Sequence, residues 1–234
     1  MKNGGGFVRT IAVPTPFPVG PTNCHVLLRD PLTLVDTGPL TEDAWDALRA
    51  GLAEVGRKVE DVERILLTHG HADHFGLARR VADVSGAQVF GGRFDHRHFR
   101  MERPARLILE KLSRAGFGLV ERLAVMASVA AVDRYADPLE EWDELSGGEV
   151  LPGDGYRVRV RSSPGHTPGS LTFDVEEGGP YLFTGDTVLH RITPNAIVDE
   201  DPEKPGETFR SLGRYVETLE VLERESRGAR LLTG

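Results

Sequence analysis

The run Thr68-His69-Gly70-His71-Ala72-Asp73-His74 sets three imidazoles and a carboxylate within six residues. Neutral nitrogen and carboxylate oxygen at this density are the donors that borderline and hard divalent cations select. The flanks restrict the backbone. Residues 62–67 end in contiguous Ile65, Leu66 and Leu67, which reads as a short buried strand. Phe75, Leu77, Ala78, Val81 and Ala82 then fall at helical spacing up to Ser85-Gly86. The cluster therefore occupies a strand-to-helix turn. His69 and His71, two apart in extended chain, point to one side. Asp73 and His74 open the helix, where the N-terminal dipole favours a carboxylate. Such a turn can offer ligands to two cations.

Two later turns and one earlier one extend the pattern. Ser163-Pro164-Gly165-His166-Thr167-Pro168-Gly169-Ser170 is a Pro/Gly-framed turn with one histidine between strand-like runs. Leu182-Phe183-Thr184-Gly185-Asp186-Thr187 is an apolar strand ending in an aspartate, and Leu34-Val35-Asp36-Thr37-Gly38 ends the same way. Alone, each is an ordinary turn. As an ordered set with the histidine cluster, they make the chain resemble the metallo-β-lactamase-fold hydrolase superfamily, in its broad non-lactamase branch, from Asn23 onward.

The resemblance implies an α+β fold, the four-layer αββα sandwich, with metals at one edge of its sheets. It implies a first metal held by His69, His71 and His166, and a second held by Asp73 and His74, with Asp186 bridging. It also implies a further histidine after a glycine at the end of a late strand. The matching stretch here is 229–234, so that ligand would follow Gly234. Three explanations are open: a natural chain that continues, a second site that lacks the ligand, or substitution by another histidine such as His190.

Composition bounds the partners. A chain of 234 residues is long enough for one substantial core, read as one domain spanning 1–234. A net charge of −8 opposes an extended nucleic-acid surface without excluding a local basic patch. Cys24 is the single cysteine, so no intrachain disulfide forms and nothing points to an oxidising compartment. The Gly-rich start, residues 1–6, is no secretory signal, and no apolar run is long enough to span a membrane. A cytoplasmic enzyme acting on a small molecule is expected; the oligomeric state is open.

Strands are expected at 8–13, 25–28, 32–35, 89–90, 156–160, 171–175, 181–183 and 231–232, with a proline-rich loop at 14–21. Thr41 is a fitting N-cap for a helix to about residue 55, and a last helix carries Phe209, Leu212, Tyr215, Leu219 and Leu222. Residues 96–146 depart from this alternation. The spacing predicts helices over 104–115, 119–135 and 138–145, an insertion between the two ligand segments. Its position lets it lie over the metals as a lid or channel wall; packing on the flank for stability is the plainer alternative. His96, His98, Phe99 and Met101 are the residues expected to face the pocket.

The implied ligand set carries the chemistry. Two divalent cations about 3.5–4 Å apart share a metal-bound hydroxide, because binding lowers the pKa of water to about 7. Zinc is the first expectation, with iron or manganese suited to the same donors. Asp73 is the catalytic candidate, orienting the attacking water or taking its proton. Asp36 and His190 are expected to support the ligands or line the pocket, and His25 to be a buried strand histidine. Hydrolysis of a small ester, thioester or lactone is the leading reading. An endoribonuclease-like RNA phosphodiesterase and a mononuclear iron persulfide-type dioxygenase using His69, His166 and Asp186 are the alternatives. Glyoxalase-type thioesterases match less well, since nothing resembles their added C-terminal helices, and β-lactam hydrolysis is disfavoured.

Overall fold

The computed structural model describes residues 7–102, 105–176, 180–226 and 228–234. Residues 1–6, and Pro104 at the expected start of the inserted helices, lie outside them. The first sheet is built from β1 (Val8–Val13), β2 (Thr22–Leu27), β3 (Thr33–Val35), β4 (Arg64–Leu66), β5 (Gln88–Gly92) and β6 (Asp143–Leu145), adjacent in that order. The first three pair antiparallel, and β3 to β6 run parallel. In the second sheet β7 (Val150–Gly153), β8 (Tyr156–Ser162), β9 (Leu171–Val175) and β10 (Tyr181–Gly185) form an antiparallel meander, and β11 (Arg230–Thr233) joins β10 in parallel.

Helices fill the connections: α1 (Glu42–Ala53) between β3 and β4, α2 (Ala72–Phe75) and α3 (Ala78–Ser85) between β4 and β5. Then α4 (His96–Phe99), α5 (Ala105–Arg114) and α6 (Leu119–Val132) separate β5 from β6, and α7 (Ser211–Glu225) separates β10 from β11. Thr41 caps α1 as its sequence suggests, its Oγ1 accepting from the Ala44 amide at 3.1 Å.

Side-chain alternation explains the layers. Cys24, Val26, Leu34 and Ile65 face one way, into a core with Leu48 and Leu52 of α1 and Val81 of α3. Leu27, Val35 and Leu66 face the other way and meet Val158, Val160, Phe173 and Phe183 of the second sheet. Strands buried on both faces read as unbroken apolar runs, which is why 65–67 carries no polar residue. Each fully buried Leu contributes roughly 1.5–3 kcal/mol. On the second sheet's outer side, the Tyr215 hydroxyl of α7 donates to Thr187 O at 2.8 Å and Thr218 Oγ1 donates to Pro164 O at 2.7 Å. α7 thus braces the two loops that carry Asp186 and His166. The result is helix, sheet, sheet, helix.

The inserted segment differs from its sequence pattern in three ways. Residues 138–145 form no helix: Asp143–Leu145 pairs with Phe90–Gly92 as β6, and Leu145 is buried between the sheets. An edge position on the first sheet outweighs local helical spacing there. Phe99 faces the core, its ring 5.4 Å from Phe75 and 5.2 Å from Trp142, and Met101 packs against the same cluster. No described residue of α5 or α6 is buried; Leu119, Val120 and Leu123 are exposed, and Val132 at the end of α6 packs against the first core cluster. In α7, Leu212 is likewise exposed while Tyr215 and Leu222 are buried. No helix among the described residues is long and apolar enough to cross a membrane.

Candidate metal centre

The chain ends of β3, β4, β8 and β10 bring the sequence-selected residues to one edge of the sandwich. The leads out of β4 and into α2 carry His69, His71, Asp73 and His74; the β8–β9 turn carries His166; Asp36 and Asp186 follow β3 and β10. Nδ1 of His71 lies 2.9 Å from Nε2 of His69 and 3.0 Å from Nε2 of His166. Asp186 turns Oδ1 to His74 Nε2 at 3.3 Å and Oδ2 to His166 Nε2 at 3.6 Å. Asp73 Oδ2 lies 4.0 Å from His74 Nε2.

The outward nitrogens determine which nitrogens face in. His166 Nδ1 sits 2.8 Å from the Asn195 carbonyl, an acceptor only, so Nδ1 carries the proton and Nε2 the lone pair. Thr68 donates its hydroxyl to Asp36 Oδ2 at 2.7 Å; His69 Nδ1, 3.1 Å from that hydroxyl, must therefore be the donor, again leaving Nε2 with the lone pair. His74 Nδ1 donates to Asp36 Oδ2 at 2.8 Å. Asp36 also accepts from the Thr68 amide at 2.8 Å, and its φ of +57° turns the chain sharply at the end of β3. Carboxylate and carbonyl partners behind the imidazoles are the usual supports of metal-ligating histidines.

Charge follows from burial and neighbours. Burial, then the adjacent imidazoles, holds His69 well below the ordinary histidine range, and burial also lowers His166, so both are neutral. Burial opposes the charge on His74 as well, but Asp186, Asp36 and Asp73 outweigh it and raise the group well above the ordinary value. Burial pushes the Asp73 carboxyl up, with Asp186 adding to the effect, whereas His74 and His166 overcome burial to lower Asp186.

A divalent cation fits this donor set. One ring N–H on His71 could serve only one of the two Nε2 atoms facing it, whereas a common cation satisfies all three nitrogens. Tetrahedral zinc separates such ligand atoms by about 3.3 Å, close to the spacing present. Two groups of donor atoms lie within 4.8 Å of one another: His69, His71 and His166, and His69, His74 and Asp186. His69 belongs to both.

The remaining sequence candidates fall in different places. His25 is buried, with Nδ1 3.0 Å from Thr10 Oγ1 and Nε2 3.2 Å from Thr233 O, and burial lowers its pKa to about 4. His96 turns to its own chain, Nδ1 lying 3.3 Å from Arg93 O, and His190 is exposed on the loop after β10. His98 does adjoin the centre, its ring 5.8 Å from that of His71 and its Nε2 3.0 Å from Asp199 Oδ2. Burial works against its charge, yet Asp199 and Asp95 raise its pKa to about 10. Sequence reasoning missed Asp95. Fully buried, it accepts from the Gly70 amide at 2.8 Å, Thr167 Oγ1 at 2.7 Å and the Gly169 amide at 2.7 Å. The available signal was a lone carboxylate just past a buried strand, as with Asp36.

Known proteins share this architecture. The probable metallo-hydrolase YqjP of Bacillus subtilis is 32% identical over 205 residues, covering 82% of this chain; the chain spans 60% of that protein's length. Hydroxyacylglutathione hydrolase GloC of Haemophilus influenzae is 31% identical over 125 residues, 53% of this chain and 49% of its own length. A metallo-beta-lactamase family protein from Thermus thermophilus superimposes with a TM-score of 0.79 at 30% identity, over 97% of this chain and 73% of that one. The profile of the metallo-beta-lactamase superfamily matches residues 17–222, a span that contains Asp36, the histidine run, His166 and Asp186. With fold and profile in agreement, the chain belongs to the metallo-β-lactamase superfamily.

Proposed function

We propose that this protein is a metal-dependent hydrolase of small acyl compounds, an ester, thioester or lactone, with a binuclear centre. The convergence of His69 Nε2 and His166 Nε2 on His71 Nδ1, with Asp186 turning one oxygen to His166 and the other to His74, carries the reading. His69, His71 and His166 would hold the first ion; Asp73 and His74 the second, with Asp186 between them. Bound divalent ions supply a nucleophile from water at neutral pH and polarise the carbonyl under attack. Zinc is the favoured metal.

The chain's own groups do the rest. Asp73 has a buried carboxyl whose Oδ2 lies 4.0 Å from His74 Nε2, a position that suits it to orient the attacking water and take its proton. Asp36 and Asn195 O hold the imidazoles in the tautomers that aim Nε2 inward. The α5–α6 hairpin, projecting from the sandwich near these loops in sequence, is a candidate wall of the substrate channel.

Two observations favour acyl hydrolysis. The relatives YqjP and GloC carry the names probable metallo-hydrolase and hydroxyacylglutathione hydrolase. The net charge of −8 disfavours RNA. Metal analysis of the purified protein, followed by assay on p-nitrophenyl esters, lactones and S-hydroxyacylglutathione thioesters, tests the reading. About two zinc or manganese ions per chain with turnover of one acyl class supports it. One iron per chain, with oxygen consumed on a persulfide, overturns it.

A further inference from the structure

We propose that Asp95, backed by His98 and Asp199, is a positioning residue that sets the spacing between the two loops carrying His69, His71 and His166. The inference rests on the reading of those loops as a metal centre. Asp95 follows β5, and its carboxylate reaches both loops at once. Oδ2 accepts from the amide of Gly70, between His69 and His71, and from Thr167 Oγ1, next to His166. Oδ1 accepts from the Gly169 amide at 2.7 Å. A further tie, Leu171 N donating to Thr68 O at 2.8 Å, joins the loops at their bases; Asp95 joins them close to the ligating rings.

Asp95 is itself held. His98 Nδ1 lies 3.6 Å from Asp95 Oδ1, and its Nε2 lies 3.0 Å from Asp199 Oδ2. Its Cβ closes over Gly70, where an added Cβ would come within 2.3 Å. Asp199 belongs to the long connection between β10 and α7, and the same connection supplies Asn195 O to His166. Arg97 pairs with Glu200 alongside. The contacts close a circuit: connection to His98, His98 to Asp95, Asp95 to both ligand loops, and His166 back to the connection.

A carboxylate is needed because donors approach both of its oxygens. An amide presents one acceptor and one NH2, so one side would face an N–H with another donor. Supporting groups of this kind typically govern metal affinity 10–100-fold.

The test uses the full chain, four single variants, Asp95→Asn, Thr167→Val, Thr167→Ser and His98→Gln, and the double variant that combines Asp95→Asn with Thr167→Val. Zinc dissociation is read by chelator competition, geometry by the visible spectrum of the cobalt(II)-loaded protein, and scaffold integrity by the melting temperature of the metal-free chain. Asp95→Asn and Thr167→Val are expected to weaken first-site zinc roughly 10–100-fold and alter the cobalt spectrum. Thr167→Ser should restore both, and the double variant should be less than additive because the two residues share one contact. His98→Gln should fall between. Wild-type affinity and spectrum in Thr167→Val overturn the proposal, as does an affinity loss that Thr167→Ser fails to rescue. Wild-type protein that takes up neither ion overturns the metal-centre reading itself.

Discussion

Oδ2 of Asp36 lies 2.8 Å from Nδ1 of His74, and both side chains are essentially solvent-free. One carboxylate thus ends β3, receives the Thr68 amide and hydroxyl, and aims His74 Nε2 at Asp186. Asp36→Asn should lower the zinc affinity of the second site by about 10–100-fold. It should also destabilise the fold by about 3–5 kcal/mol, since a buried charged partner is removed. Chelator competition and urea unfolding measure the two effects; unchanged second-site affinity would show that His74 needs no such support.

His71 contrasts with His190. His71 alone among the three first-site candidates turns Nδ1 inward, midway between two Nε2 atoms, whereas His190 is exposed. His71→Ala should abolish first-site metal and lower kcat/KM by at least about a thousandfold, a loss of ~4 kcal/mol. His190→Ala should leave both unchanged. Metal content and acyl-ester turnover of the two variants separate them, and a metal-replete, active His71→Ala protein would remove the residue from the centre.

How far the site could be read from sequence depended on how its residues are distributed. His69 to His74 form one contiguous run, so ligand spacing and backbone type were visible together. His166 sits in a Pro/Gly-framed turn between two strands, and Asp186 and Asp36 each sit at the tip of an apolar strand, local patterns that the sequence shows. Asp95 has the same placement, but its partners are two backbone amides and a threonine hydroxyl from loops far apart in sequence, which leave no pattern. His190, four residues past Asp186, is exposed on the loop after β10. The helical spacing of 138–145 gave way to pairing with β5, and Phe99 turned to the core because Phe75 and Trp142 were there to receive it.

Gly234 adjoins the second group of ligands. A Cβ built there would lie 2.5 Å from His74 Cε1 and 2.7 Å from Asp186 Oδ1. Gly234→Ala should therefore displace His74 or Asp186 and weaken second-site metal more than first-site metal. Stepwise zinc titration resolves the two sites; equal second-site affinities in the wild-type and Gly234→Ala proteins would refute this account of the second centre.

His25 predicts a specific pH dependence. Burial lowers its pKa from 6.5 to about 4 in the folded chain, so between these values the unfolded state binds the extra proton and the folded state does not. Stability on this account is fully present above pH 6.5 and falls as pH drops toward 4. The loss between pH 7 and pH 5 is about 2 kcal/mol. His25→Gln removes the titration while keeping a polar group near Thr10 and Thr233 O. Urea unfolding in the presence of chelator should therefore give a wild-type advantage at pH 7 that shrinks by this amount at pH 5. A constant difference across that range would mean that His25 binds its proton equally in the folded and unfolded chain, and an advantage that grows toward pH 5 would mean a pKa raised by pairing to the Thr233 carbonyl.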